Sequence, residues 1–134
     1  MTLPLVVVVG HSKCGGVTAS LVAAQRDSDP SITIAEHPAS SPLNLWLAPL
    51  TKFALRLKSQ YSSKSQDDAL QFLIEQNVKT QVDNIAKSEV MKETWKHEIE
   101  GKGRKVRVHG WVYDLGTGLL KDLETTRGPS GSNY

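Results

Sequence analysis

An unbroken apolar run, Leu5 to Val9, followed by Gly10-His11-Ser12-Lys13-Cys14-Gly15-Gly16, constrains this chain more than any other feature. A run of leucine and valine with no polar alternation reads as a strand covered on both faces. A glycine-rich segment directly after it reads as a strand-to-helix turn. The fold class that follows is α/β, a parallel sheet flanked by helices. His11 and Cys14 then stand at the carboxyl end of the strand, where open α/β sheets hold their ligands. Such a strand wants neighbours on both sides. Its position almost at Met1 predicts that an upstream portion of a larger domain is absent.

Downstream, the apolar spacing is first helical. Val17, Leu21 and Val22 predict a helix from Gly16 to about Gln25, ended by the turn formers Arg26-Asp27-Ser28-Asp29-Pro30. Glu36 to Pro42 is a Ser- and Pro-rich loop. Leu43, Trp46, Leu47, Leu50, Phe53, Ala54 and Leu57 recur at three and four, an amphipathic helix with a packing stripe. Pro49 inside it either kinks the helix or marks the first turn of a shorter one. Tyr61 to Gln66 reads as a polar linker, and Asp67 or Asp68 as the cap of a helix through Ala69, Leu70, Leu73 and Ile74. Asn77 interrupts before Val78, Val82, Ile85 and Ala86 resume the spacing. Ser88 starts a short helix bearing Val90, Met91 and Trp95. Beyond Gly101-Lys102-Gly103 the period falls to two: Val106, Val108, Gly110 and Val112 alternate with Arg107, His109, Trp111 and Tyr113. A turn at 114–118 and a second strand from Leu119 to Leu123 complete a β-hairpin. The expected domain is 1–124, with 125–134 a disordered tail.

The totals narrow the function classes. A chain of 134 residues fits one domain. With 16 basic and 14 acidic residues the net charge is +2, which gives no electrostatic case for a nucleic acid or membrane partner. One cysteine permits no intrachain disulfide and favours a reducing compartment. No apolar stretch has the length of a bilayer span, and the N-terminal run lacks the basic leader of a signal peptide. The expected location is cytoplasmic, with an organelle left open.

His11 and Cys14, three apart on one tight turn, can offer an imidazole nitrogen and a thiolate sulfur to one zinc ion. Zinc takes four ligands in tetrahedral array, and this pair supplies two. No second cysteine exists to help complete the set. The segment is not a P-loop, because Gly16 and Val17 follow Gly15 where lysine and Ser/Thr would stand. Nor is it a Cys-x5-Arg loop, since Ser20 holds the arginine position. His37, His97 and His109 show no spacing that links them to His11, and they read as solvated or packed. Asp29, Glu36 and Asp114 are weaker candidates still. Lys13 reads as a solvated side chain or as one that steers anions.

Three segments, in order, resemble one family. Val6-Val-Val-Val-Gly-His-Ser-Lys-Cys-Gly-Gly-Val17 resembles the second zinc-ligand motif of β-class carbonic anhydrases. Asn77-Val-Lys-Thr-Gln-Val-Asp-Asn-Ile85 resembles the helix after that family's active-site region. Val108-His-Gly-Trp-Val-Tyr-Asp-Leu115, with Gly118 and Leu123, resembles its closing hairpin. The resemblance runs from about Leu5 to Leu123 and covers the later part of the family domain. It implies a β-carbonic anhydrase-like fold, Zn2+ held by His11 and Cys14, and reversible hydration of carbon dioxide to bicarbonate by zinc-bound hydroxide. It also implies a homo-oligomer, since the family forms dimers that pack helices across the interface; the Leu43–Leu57 stripe is then either core or subunit contact. Gly15 and Gly16 either let backbone amides approach an anion such as bicarbonate at a helix start or simply make a tight turn. The family's earlier Cys-x-Asp-x-Arg motif, which supplies a zinc thiolate and an Asp–Arg pair, has no counterpart here. The resemblance therefore implies an N-terminally truncated member. The alternative is a non-catalytic remnant or gene-model fragment with an incomplete zinc site.

Overall fold

A computed structural model of the chain describes residues 4–26 and 29–130. In chain order it forms β1 (Leu5–His11), α1 (Gly15–Gln25), α2 (Pro42–Arg56), α3 (Lys58–Tyr61), α4 (Gln66–Ala86), α5 (Glu89–Ile99), β2 (Arg107–Tyr113) and β3 (Leu120–Asp122). No helix among the described residues is long and apolar enough to cross a membrane. The chain divides into two compact units, Met1–His11 with Glu75–Tyr134 and Ser12–Ile74.

The first unit is built on a three-stranded sheet in the order β1-β2-β3. β1 runs parallel to β2, Leu5 opposite Arg107 through to His11 opposite Tyr113. β2 turns back antiparallel into β3, with Trp111 opposite Asp122. The expected hairpin is present, and its first arm is also the parallel neighbour of β1. Alternation along the pleat sends Val6, Val8 and Val108 to one face, where they pack with Val82, Ile85 and Ala86 of α4 and Met91 and Trp95 of α5. The indole of Trp95 donates to the Val106 carbonyl at 2.9 Å, so its polar edge is satisfied inside the core. Gly110 lies where α4 and Thr125 crowd β2. A Cβ there would lie 2.7 Å from Thr125 Cγ2 and 3.0 Å from Val82 Cγ2.

Ser88 caps α5 by accepting from the Met91 amide. Near the other end of α5, Glu98 receives both guanidinium nitrogens of Arg107, each at 2.8 Å. That bidentate bond holds the Glu98 carboxyl below its ordinary value, against the opposing pull of burial. Helix α4 runs unbroken through Asn77, contrary to the expected interruption. The apolar stripe of Val78 and Val82 continues on either side, and the Asn77 amide oxygen is occupied by Gln81 at 3.2 Å. The expectation of a disordered tail from Thr125 does not describe its first residues. Thr125 is buried, and Arg127 exchanges two backbone hydrogen bonds with Val108, at 2.8 and 3.0 Å. The Arg127 guanidinium meets Asp83 at 2.8 Å. Residues 131–134 lie outside the described part.

The second unit is helical. α1 buries Val17, Leu21, Ala23 and Ala24. α2 starts as helix-capping chemistry dictates, with Ser41 accepting from the Asn44 amide and Pro42 in the first turn. It then passes through Pro49 without ending. Of its expected stripe, Leu47 and Ala54 are buried, whereas Trp46 is 73% exposed and Leu43 is 42% exposed. The buried face is completed instead by two polar residues, Asn44 and Thr51. Asn44 clamps the loop ahead of α2: its oxygen accepts from the Ile34 amide at 2.8 Å, and its nitrogen donates to the carbonyls of Ile34, His37 and Pro38 at 3.0–3.1 Å. The Thr33 and Thr51 hydroxyls meet at 2.6 Å. The expected linker from Tyr61 is no linker at its start, because Tyr61 is buried and donates to the Ala54 carbonyl at 3.0 Å. The cap of α4 is Ser65 rather than either aspartate. Its hydroxyl accepts from the Asp68 amide at 3.1 Å and donates to the Asp68 carboxylate at 2.8 Å.

Candidate functional site

The segment that joins strand to helix carries the expected ligands. His11 is the last residue of β1, exposed, with Tyr113 beside it in register. Ser12 and Lys13 make the turn, and Lys13 takes the left-handed conformation at φ 54°. A non-glycine residue in that region is uncommon and mildly strained. Cys14 is half-buried and is the N-cap of α1, in extended conformation at φ −62° and ψ 118°. Its carbonyl accepts from the amide and the hydroxyl of Thr18, both at 2.9 Å. Its side chain makes no capping bond, so the sulfur is not committed to closing the helix. His11 belongs to the first unit and Cys14 to the second. Chain connectivity alone keeps their Cα atoms within about 11 Å.

The two glycines differ. Gly15 and Gly16 are the first two residues of α1, and neither has a left-handed φ. The tight turn is therefore made by Lys13, and the pair is not needed for it. A Cβ on Gly16 would meet Leu47 Cδ2 at 3.4 Å, an ordinary packing contact. A Cβ on Gly15 would meet nothing within 4 Å, so the first residue of α1 borders open space. That is the condition for an anion to reach a helix start. Within the second unit a cleft of about 350 Å³ brings Ser12 and Lys13 together with Asp67, Asp68 and Gln71 of α4. Sequence reasoning reads Asp67 and Asp68 as capping residues alone, and helical spacing carries no signal for a cleft of this kind.

The remaining histidines and acids are placed elsewhere. His109 accepts or donates at Nδ1 with the Thr126 hydroxyl at 2.9 Å. His97 lies exposed on α5, and His37 lies exposed in the loop that Asn44 clamps. Asp29 serves a turn: the Ser31 amide and hydroxyl both donate to its carboxylate, which holds it below its ordinary value. Asp114 does the same for Gly116 at 2.8 Å. Among the described residues no group of three or more His, Cys, Asp or Glu is placed to hold a metal ion. Among the described residues, His11 and Cys14 offer two donors of suitable chemistry to a zinc ion, with no third grouped beside them. The described residues do not by themselves fit a zinc centre, which takes at least three protein ligands.

Comparison with known proteins gives this turn its context. The model of the carbonic anhydrase family matches residues 1–120. A carbonic anhydrase of Emericella nidulans is 34% identical over 120 residues, covering 88% of this chain and 44% of that protein. The β-carbonic anhydrase of Coccomyxa, solved in complex with acetazolamide, superposes with a TM-score of 0.73 at 28% identity, over 94% of this chain and 49% of that one. A structure from work on two tetrameric β-carbonic anhydrases of Sordaria macrospora shares the fold, with a TM-score of 0.69 at 22% identity over 92% and 54%. The chain spans 44% of the Emericella protein's length and 49% of the Coccomyxa chain.

Proposed function

The chain belongs to the β-class carbonic anhydrase family, and from that membership we propose that it takes part in the reversible hydration of carbon dioxide to bicarbonate by contributing half of a zinc site. His11 and Cys14 are the contributed ligands. One observation carries this reading: an imidazole at a strand end and a cysteine uncommitted to capping, three residues apart across a turn that a left-handed lysine closes. Zinc in a site of this family's kind supplies a hydroxide nucleophile near neutral pH. The chain's own part is to present the two ligands and, through the helix start at Gly15, to favour an anion beside them. The ligand count supports a contribution to the site rather than a complete centre. Association with further copies of this chain belongs to the same reading, as the Sordaria proteins are tetramers.

The test is zinc affinity and carbon dioxide hydration of the purified chain, beside His11→Ala and Cys14→Ser. The expected result is zinc binding that falls at least ~tenfold in either variant, with hydration by the chain alone at the uncatalysed rate. Zinc affinity unchanged in both variants would remove the pair from the site. Stoichiometric tight zinc with turnover in the unaltered chain would show a complete centre and overturn the half-site reading.

A further inference from the structure

Where α4 ends and α5 runs, within the first unit, there is a cleft of about 440 Å³, the size of a small-molecule site. Part of its lining is hydrocarbon, from Ala86, Trp95 and Ile99. The Trp95 N–H is spent on the Val106 carbonyl, so the indole has only its carbon framework to offer a ligand. Ile99, one turn along α5 from the buried Trp95, is 68% exposed. Beside this hydrocarbon the lining is cationic: Lys87, Lys92 and Lys96, all exposed, line the same cleft. Lys92 and Lys96 stand four apart on one helix, a spacing at which like charges repel. Lys92 is answered by Glu89 at 2.7 Å. Among the described residues no carboxylate answers Lys87 or Lys96. Glu100, the acid that also lines the cleft, is held by Lys102 at 3.1 Å. Its place in the last turn of α5 gives Lys96 a helix dipole to complement, but that role does not call for hydrocarbon beside it.

We propose that this cleft binds an amphiphilic carboxylate, a small molecule with a short hydrocarbon tail and one anionic head. The tail lies on Ala86, Trp95 and Ile99, and the head is met by the ammonium groups of Lys87 and Lys96. Charge and shape together select this occupant. A neutral apolar molecule would leave the unanswered lysines unused and their mutual repulsion unrelieved. A small inorganic anion would leave Ile99 in water and gain only a screened surface attraction. An acidic bilayer would meet the same two chemistries on a flat surface, whereas here they converge on a cleft. The inference uses none of the residues of the zinc reading and does not depend on it.

Calorimetric titration of the 134-residue chain with octanoate, octan-1-ol and acetate tests the proposal. The expected result is one octanoate per chain with a dissociation constant of ~1 mM or below. Octan-1-ol, which keeps the tail and loses the charge, should bind at least ~fivefold more weakly. Acetate, which keeps the charge and loses the tail, should not saturate. Replacing both Lys87→Gln and Lys96→Gln should weaken octanoate at least ~fivefold and leave octan-1-ol unchanged. Ile99→Gln, at an exposed site that spares the core contacts of Trp95, should weaken both at least ~threefold. Val90→Gln, at a 75% exposed position of α5 outside the lining, should change neither, with all variants keeping the far-ultraviolet dichroism of the unaltered chain. Absence of saturable octanoate binding up to ~10 mM, well above that constant, overturns the proposal. So does octan-1-ol that binds as tightly as octanoate, or octanoate affinity that the double lysine change leaves intact. Flotation of the chain with phosphatidylglycerol vesicles, without binding of octanoate, would give the surface to a bilayer and overturn it too.

Discussion

The two units are held together by different chemistry. In the first, aliphatic side chains from one face of a sheet meet those of two helices, and the main charged contact is a single bidentate clamp, Arg107 on Glu98. In the second, much of the work falls to polar groups: the buried Asn44 holding four backbone groups, Thr33 against Thr51, Tyr61 on Ala54, and the half-buried Lys58 ammonium on the Ala24 carbonyl at 3.1 Å. Hydrocarbon contacts are non-directional and tolerate substitution of like volume. A buried amide that satisfies several backbone groups does not, because its removal leaves them unpaired away from water. The second unit should therefore be the more brittle to a single change of side chain.

Asn44→Ala is the sharpest way to break that contrast. It should cost about 2–4 kcal/mol, since the Ile34 amide and three carbonyls lose their partner at once. Denaturant unfolding measures the loss, and hydrogen exchange should show it concentrated in 33–38. A cost below that of Gly110→Ala would sink the comparison. Gly110→Ala is the corresponding insult to the first unit. It should cost about 1–3 kcal/mol through overpacking against Thr125, Val82 and Val78. Adding Thr125→Ser, which removes the methyl at 2.7 Å, should return part of that cost in a double-mutant cycle. The smallest effect concerns pH. Arg107 keeps the Glu98 carboxyl below its ordinary value of 4.5, so the clamp's stabilisation is whole above that pH and is lost as pH falls through the lower, folded-state value. As pH falls below 4.5 the unaltered chain should lose more stability than Glu98→Gln does, read by denaturant unfolding at each pH. Equal acid sensitivity of the two would show that the clamp contributes nothing.

The same contrast explains what the amino-acid order disclosed. β1 was legible as an unbroken apolar run ended by glycine, and α5 and β2 because their apolar residues repeat at three and four or at two, the repeat that burial against one neighbour requires. That β2 is the parallel partner of β1 was not, since strand pairing across ninety-odd residues leaves no local trace. In the second unit the expected stripe of α2 gave Trp46 to the core, whereas Asn44 and Thr51 hold positions there. Periodicity counts apolar residues and is blind to an amide that has found its partners. Ser65 was overlooked as a cap because Asp67 and Asp68, equally good capping residues, follow so closely. At the candidate site, the placement of His11 at a strand end and Cys14 at a helix start followed from the strand–turn–helix pattern. The left-handed residue did not: with Gly10, Gly15 and Gly16 at hand, nothing in the residue types pointed to Lys13.

The backbone exchange between Arg127 and Val108 bears on how the molecule can be handled. The match to the carbonic anhydrase family model ends at residue 120, inside β3. An expression clone trimmed to that border would strip away the seal that Thr125 and Arg127 lay over the middle of β2, baring Gly110 to water. That border, used as a ruler for where to cut, comes up several residues short.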